Sequence, residues 1–302
     1  MEMATKSIDD LESVLTSRVI TFLVGPDKKA FHVNEKLVVS CSEIFKKMLT
    51  NGMRESQEGV VELDEHEPRV FTSFINYTIY GNYEVPIARG KHKSATGDMD
   101  EELLVVPDSE YDSLSDHVLK QATLLADSRR SVPYVQYMES FVHQGDTGKL
   151  YGKPPRLLAN ERPDLEANFD LMVANRQFGE ICTHHVKLYI FADKYDIAEL
   201  RQLCLHRLHC SLVRAKLGDT GYKLLFDAIA FTFENTLPGD KIRKLFVQTC
   251  VADFSLVRLM PFYKDLCYQV PEVVYEIMVE LPKYWDTHRN ALIDVASKFT
   301  EE

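Results

Sequence analysis

The strongest candidate for chemistry in this sequence is a run of cysteines and histidines, Cys204-Leu-His206-Arg-Leu-His209-Cys210. On a helix, His206 and Cys210 are one turn apart and His209 stands beside them, so these side chains could converge as ligands of the kind that Zn²⁺ prefers. Cys204 lies on another part of the helix circumference and does not complete the set. We therefore interpret the run as buried cysteines and partly exposed histidines of an amphipathic helix, and we expect no metal and no cofactor.

Motifs of known enzyme classes are weak or missing. Asp-Thr-Gly, a sequence typical of aspartic proteases, occurs at 146–148 and 219–221, but neither copy has the apolar strands that hold a catalytic Asp, so both are interpreted as turns. The adjacent pair His184-His185 does not share a helical face, and we interpret it as residues at the start of a helix. The sequence has no Gly-rich phosphate loop and no His-Glu-x-x-His or Gly-x-Ser-x-Gly motif. We predict a protein that is not an enzyme.

Composition excludes two further classes of function. The formal net charge of the 302 residues is −11 with a pI near 5.4, whereas binding to a phosphate backbone needs a basic surface, so we expect no nucleic-acid partner. No stretch approaches the roughly 18 continuous apolar residues of a membrane span, so we expect no membrane partner. The 6 cysteines include no Cys-x-x-Cys pair, which favours reduced thiols in an intracellular protein of the cytoplasm or nucleus.

Short elements alternate in the first part of the chain. The apolar run VITFLV, a turn at Gly25-Pro26 and the run AFHV predict a β-hairpin, and VVEL predicts a third strand. Helical spacing and capping residues predict helices over 8–15, over 35–39, from a Ser40-x-x-Glu43 capping box onwards, and from Pro68 to Gly81. The segment 50–63 is interpreted as a polar loop that leads into the third strand.

The middle of the chain differs from both ends. Segments 86–102 and 144–168 are rich in Gly, Pro, Asn and charge and bury too little apolar surface to be fully ordered, although 103–106 fits a strand and 114–125 a helix. Order resumes near Ile181, and Asp196-x-x-Glu199 has the spacing of a capping box. From about 216 the pattern is helical, and Pro271 opens a last helix with Val274, Ile277, Met278 and Leu281 on its apolar face.

Two stretches resemble the BTB/POZ domain family. They read FHVNEKLVVSCSEIFKKMLTNGMRESQEGVVELDEHEPRVFTSFINYTIYGNY and HHVKLYIFADKYDIAELRQLCLHRL. The resemblance implies an α+β fold, a small sheet flanked by helical hairpins, here with a long insertion and an all-helical C-terminal region like those of filamentous-fungal BTB proteins. The predicted parts are the N-terminal part of the domain at 1–85, a partly disordered insertion at 86–180, the C-terminal helices of the domain at 181–215, and the helical region at 216–302.

The resemblance implies a protein–protein interaction module without catalytic chemistry. Members of the family self-associate, recruit cullin scaffolds of ubiquitin ligases or bind transcriptional corepressors. We predict an adaptor that docks a cullin-type scaffold through the BTB domain and recruits a substrate through the insertion or the tail. The alternative is a self-associating scaffold or a corepressor-binding module without a ligase role. A homo-oligomer is therefore a second option, although the short segment before the first strand leaves less room for the swapped dimer of other members.

The resemblance also directs attention to Met53-Arg54-Glu55. Cullin-binding members carry a hydrophobic-x-Glu element at this position, whose apolar residue enters a pocket on the cullin. The unbranched side chain of methionine adapts to irregular pockets. The candidate partner-binding residues are Met53 and Glu55, with Leu49 and Phe45 on the preceding helix. In the alternative, Met53 folds back onto Phe45 or Leu49.

The charges of one predicted pocket depart from the family pattern. Many members place Asp at the start of the first strand and His-Lys after the second strand, whereas this sequence has Arg18 and Asn34-Glu35. If Arg18 and Glu35 lie close together, the pocket keeps its ion pair with reversed polarity and would suit different partners. The alternative is an ordinary surface pair worth about 0–1 kcal/mol.

Overall fold

The computed structural model describes the backbone of residues 8–52, 54–85, 171–214 and 217–300. Its strands are β1 (Val19–Val24), β2 (Lys29–Asn34) and β3 (Val60–Leu63). Its helices before the long gap are α1 (Ile8–Leu15), α2 (Glu35–Val39), α3 (Glu43–Thr50), α4 (Arg54–Glu58) and α5 (Pro68–Tyr80). Those after the gap are α6 (Leu171–Lys194), α7 (Ala198–Arg214), α8 (Asp219–Asn235), α9 (Lys241–Ala252), α10 (Phe254–Val257), α11 (Tyr263–Gln269) and α12 (Pro271–Thr300).

The three strands form one small mixed sheet of order β2-β1-β3. The predicted hairpin is confirmed, because β1 and β2 are antiparallel with Phe22 opposite Phe31. β3 runs parallel to β1 and places Val61 beside Phe22. Because side chains alternate between the two faces of a strand, Ile20, Phe22 and Val24 of β1 all point to the same face. These three residues are fully buried, and helices cover this face of the sheet.

Aromatic rings join the parts of the chain on either side of the gap. Phe22 of β1 contacts Phe45 of α3 at a ring-centroid distance of 5.8 Å, and Phe45 stacks on Tyr195 after α6 at 4.3 Å. Phe191 of α6 packs against Phe74 of α5 at 5.0 Å. The buried apolar residues form one continuous core that extends from the sheet through α6 and α7 into the C-terminal helices. The predicted α+β architecture with an all-helical C-terminal region is confirmed.

Both capping boxes predicted from the sequence are wrong. Ser40 ends α2, and the N-cap of α3 is Ser42, whose hydroxyl accepts from the backbone N–H of Phe45 at 3.1 Å. Asp196 has a positive φ of 52°, and the N–H of Ile197 bonds to the carbonyl of Ala192 at 2.8 Å, which is the pattern of a helix C-terminus. Asp196 therefore ends α6 rather than starting α7.

Two further expectations differ from the structure. Helix α6 begins at Leu171, before the position near Ile181 where the apolar pattern resumes. In α12 the buried face is Val273, Ile277 and Leu281, whereas Met278 is exposed. The strand expected at 103–106 and the helix expected at 114–125 lie outside the described residues. The domain boundaries remain predictions.

Candidate interaction site

Within the segment between α3 and β3, Arg54–Glu58 forms a short helix and not the loop that its polar sequence suggested. Helix α4 has too few residues to be stable through helix propensity alone. Local hydrogen bonds fix both of its ends. The side-chain amide of Gln57 donates to the carbonyl of Gly52 at 2.7 Å, and the N–H of Gly59 bonds to the carbonyl of Glu55 at 3.0 Å. Gly52 and Gly59 have φ values of 78° and 68°, a region that glycine adopts without strain.

Helix α3 forms the base of this segment. Phe45 and Leu49 are fully or almost fully buried in the core, so neither offers its side chain to a partner. Both were predicted as partner-binding residues, but the ring of Phe45 packs on Phe22 and Tyr195, and Leu49 lies in the same core. The packing of these two side chains fixes the position of the C-terminal end of α3 relative to the sheet.

Arg18, at the end of the chain segment that enters β1, connects this base to α4. Its guanidinium pairs with the carboxylate of Glu35 at 3.2 Å. It also donates to the carbonyl of Ser56 in α4 at 2.6 Å and to the carbonyl of Leu49 in α3 at 3.5 Å. The planar guanidinium of arginine can donate hydrogen bonds to several acceptors at once in a fixed geometry, whereas the ammonium group of lysine is a single compact charge.

The candidate contact residues follow from this arrangement. Met53 lies outside the described residues. Glu55 stands in the first turn of α4, is half-buried, and has no hydrogen bond or ion pair with another described side chain. Its neighbour Arg54 is exposed and paired with Glu58 at 2.9 Å. The carboxylate of Glu55 is therefore available to an external donor.

The sequence suggested the Arg18–Glu35 pair and the Met53–Glu55 segment as separate features. The structure brings them together, since one guanidinium contacts both Glu35 and the backbone on either side of residue 53. No spacing in the sequence relates Arg18 to Ser56, because the contact is made through a backbone carbonyl that any residue carries. Only the departure of Arg18 from the family pattern pointed to this position.

The two adjacent histidines in α6 were misassigned from the sequence. His184 and His185 lie well inside α6 and are buried, rather than at the start of a helix. The Ser73 hydroxyl donates to the carbonyl of Glu84 at 3.0 Å and so accepts from Nε2 of His184 at 2.9 Å. A serine whose proton is already given to a carbonyl is not activated by that histidine, so this pair is not a nucleophile with its base. Burial lowers the pKa of His184 to about 4.

His185 faces the other side of the same contact. Its Nδ1 is 2.7 Å from the hydroxyl of Tyr83, and burial lowers the pKa of this histidine well below its usual range. Arg207 of α7 donates to the carbonyl of Tyr83 and stacks over its ring at 4.5 Å. Tyr83 and Glu84 are thus held by α5, α6 and α7 at the point where the chain leaves the described core. We interpret this cluster as structural, because its side chains hold Tyr83 and Glu84 in place against these helices.

Other chemistry is not supported by the described residues. Cys204 is buried and burial raises the pKa of its thiol to about 12, which disfavours the thiolate that a metal needs. No group of three or more His, Cys, Asp or Glu side chains is arranged to hold a metal ion in the part of the chain that the structure describes. Among the described helices, none combines the length and the apolar character needed to cross a membrane.

Comparison with known protein families gives one match. The family model described as BTB/POZ domain matches residues 20–101, which include β1 except for its first residue, β2, β3 and α2 to α5. The matched range contains the helix α3, the segment after it and Glu35, and it begins two residues after Arg18. Neither the curated proteins nor the solved structures give a match to the chain.

Proposed function

We propose, from the premise that this chain carries a BTB/POZ domain and is therefore a protein–protein interaction module, that it is an adaptor for a cullin-type ubiquitin ligase scaffold. The scaffold would dock on the segment between α3 and β3, with Met53 as the apolar anchor and Glu55 as a polar contact beside it. The C-terminal helical region or the segment 86–180 would recruit the substrate. Such an adaptor would work in the cytoplasm or the nucleus.

The observation that carries this proposal is the way Arg18 holds both sides of the docking segment. Its bonds to the carbonyls of Leu49 and Ser56 fix the backbone before and after residue 53. A segment that is already ordered loses less conformational entropy when a partner binds, so more of the contact energy appears as affinity.

The electrostatics are compatible with one external contact at Glu55. Arg54 and Glu58 neutralise each other across one turn, and Arg18 is occupied by Glu35 and the two carbonyls. Glu55 is the acidic group of this segment that has no partner among the described side chains. A basic or amide donor on the scaffold beside an apolar pocket would match this pair of contacts.

The test is a binding measurement with a purified cullin N-terminal region. Met53→Asp should weaken binding by about 30-fold or more, because truncating an anchor of this kind costs roughly 2 kcal/mol and a charge adds a desolvation cost. Leu237→Asp is the matched control, since Leu237 is 79% exposed on the loop between α8 and α9. Both variants should keep the thermal stability of the unmodified chain.

Two results would contradict the adaptor proposal. One is an absence of measurable binding by the unmodified chain. The other is a marked fall of the melting temperature in Met53→Asp, which indicates that Met53 packs on Phe45 or Leu49 as a core residue. A partial loss with Glu55→Gln at unchanged stability would separate the polar contact from the anchor.

Self-association is the second candidate function, and exposed apolar residues near the N-terminus favour it. Leu11 and Leu15, which are one turn apart on α1, and Val19 at the start of β1 are all exposed. In this alternative the chain is a self-associating scaffold or a corepressor-binding module without a ligase role. Light scattering should then give the mass of a dimer for the unmodified chain and of a monomer for Leu15→Asp.

A further inference from the structure

A cleft lies between α6, α7 and the turn that leads from α8 into α9, where α9 packs on α7. Its volume is about 240 Å³. Pockets for drug-sized ligands have roughly 300–1,000 Å³, so this space suits a single side chain of a partner better than a cofactor. We call it the α7–α9 cleft, and it is lined mainly by Tyr189, Arg201, Gln202, Leu205, Asp240 and Lys241.

The buried part of this lining holds one carboxylate in place. Tyr189 and Leu205 are each 3% exposed and give the cleft an apolar side. The hydroxyl of Tyr189 donates to Oδ1 of Asp240 at 2.6 Å, and the backbone N–H of Ile242 donates to the same oxygen at 3.0 Å. Oδ2 of Asp240 has no hydrogen bond with a described residue. The carboxylate is therefore oriented by two donors and keeps one oxygen for a third.

The other polar groups of the cleft are donors without enough acceptors. Gln202 is half-buried and Lys241 exposed, and neither has a hydrogen bond or ion pair with a described residue. Arg201 uses Nη1 for its ion pair with Asp193, and its remaining N–H groups have no hydrogen bond with a described residue. A guanidinium has five N–H donors, an ammonium three and an amide two, so unused donors outnumber unused acceptors. The lining is complementary to a ligand that accepts hydrogen bonds.

The charges narrow the class of ligand. The carboxylates of Asp193 and Asp240 act on Arg201 and offset the formal charges of Arg201 and Lys241, so the cleft does not attract polyanions over a distance. An inorganic anion also has no proton to give to Oδ2 of Asp240. An acidic residue of a peptide carries a carboxylate for the donors and, a few bonds away, a backbone N–H for that oxygen. Both sets of groups are then satisfied by one ligand.

We propose that the α7–α9 cleft binds an acidic residue of a partner peptide. Its side-chain carboxylate accepts from Lys241, Gln202 and the free N–H groups of Arg201, its backbone N–H donates to Asp240, and its methylene groups lie against Leu205. The cleft shares no residue with the segment between α3 and β3, so this binding is independent of the docking of a cullin.

Two small compounds of the same shape test the proposal. The full chain, labelled with ¹⁵N, is titrated with N-acetyl-glutamate N-methylamide and with its glutamine counterpart, which lacks the charge. The amide signals of Gly239 and Lys241 and the side-chain NH₂ signals of Gln202 should shift and saturate with the glutamate compound, with a Kd of about 1–10 mM. The glutamine compound and inorganic phosphate should each bind about fivefold more weakly or less.

Matched variants identify the donors. Lys241→Gln should weaken the glutamate compound by about threefold to tenfold and leave the glutamine compound unchanged. Lys244→Gln removes the same charge one turn further along α9, from an exposed residue outside the lining, and should change neither. Gln202→Glu should reverse the preference in favour of the glutamine compound, because two carboxylates would then meet. None of these exposed or half-buried positions should alter the melting temperature by more than about 2 °C.

Four results would overturn the proposal. Equal binding of the glutamate and glutamine compounds would show that the carboxylate is not recognised. Equal binding of phosphate would show a site for an adventitious ion only. Equal weakening by Lys241→Gln and Lys244→Gln would show general attraction to α9. Unshifted signals of Gly239, Lys241 and Gln202 at about 50 mM of the glutamate compound would show that the cleft holds water alone.

Discussion

Arg18 offers the sharpest test of how the docking segment is held. Glu35 contacts Arg18 through its carboxylate, whereas Arg18 contacts Glu35 and also the carbonyls of Leu49 and Ser56. If the carbonyl contacts matter, replacing Arg18 must cost more than replacing Glu35. If only the ion pair matters, the two replacements must cost the same.

The magnitudes follow from exposure. The side chain of Arg18 is 42% exposed and that of Glu35 20%, so the ion pair is partly screened by water and Glu35→Ala should lower the free energy of unfolding by about 0.5 kcal/mol. Arg18→Ala also removes a short charge-assisted bond to the Ser56 carbonyl at 2.6 Å and a weaker contact with the Leu49 carbonyl at 3.5 Å. Discounted for the same exposure, the total for Arg18→Ala is about 2 kcal/mol.

The assay is urea unfolding of the single variants and the double variant, followed by far-UV circular dichroism. The double variant should unfold like Arg18→Ala, because Glu35 has no remaining partner there, so the coupling energy equals the small cost of Glu35→Ala. Hydrogen exchange should accelerate at the amides of α4 in Arg18→Ala and stay unchanged in Glu35→Ala. Arg18→Lys should resemble Arg18→Ala in α4, since one ammonium group cannot bridge both carbonyls.

Equal costs for Arg18→Ala and Glu35→Ala would refute this reasoning. The pair would then be an ordinary surface ion pair, and the order of the docking segment would come from Gln57 and the glycines alone. Unchanged exchange in α4 of Arg18→Ala would lead to the same conclusion.

Three further changes have definite expected outcomes. Ser42→Ala should cost about 2 kcal/mol in urea unfolding, because the Ser42 hydroxyl caps α3 and also donates to the carbonyl of Tyr195 at 2.6 Å. Gly179→Ala should destabilise by about 2 kcal/mol, since its Cβ would lie 2.6 Å from Leu224, although alanine normally stabilises a helix interior; a gain in melting temperature would contradict this. The pKa of His184 falls from 6.5 to about 4 on folding, so the unfolded chain takes up a proton first and the free energy of unfolding drops as the pH falls below 6.5. Between about pH 7.5 and about pH 6 His184 contributes about 0.8 kcal/mol to this drop, and His184→Gln should remove that share, whereas the shares of His66 and His185, whose pKa values burial also lowers, should remain.

The regular elements were predictable because their signals are local. Alternating apolar residues and a Gly-Pro turn predicted the β1–β2 hairpin, and Pro68 and Gly81 marked the two ends of α5. The helical tail followed from apolar spacing in the same way. Where prediction failed, two local signals competed. Ser40 and Ser42 both suit an N-cap, and the packing of Phe45 and the carbonyl of Tyr195 selected Ser42.

The charged and polar contacts were less predictable. Arg18 and Glu35 were identified as a pair only through the departure from the family pattern, and their joint contact with α4 was not foreseen. The histidines of α6 were misplaced because their partners, Ser73 and Tyr83, are far away in sequence. A hydrogen bond between distant residues has no periodicity, so no window of sequence contains its signal.

The sequence by itself determined the α+β class, the resemblance of its first part to the BTB/POZ domain and many of the residues on the buried faces, because these depend on apolar spacing and turn chemistry within short windows. Tertiary structure alone decided that Arg18 contacts the backbone on both sides of residue 53, that His185 bonds to Tyr83 and His184 to Ser73, and that one apolar side of α12 remains exposed. The spacing of residues in α12 suits either of its faces, and only the position of α9 and α11 decides which one is buried.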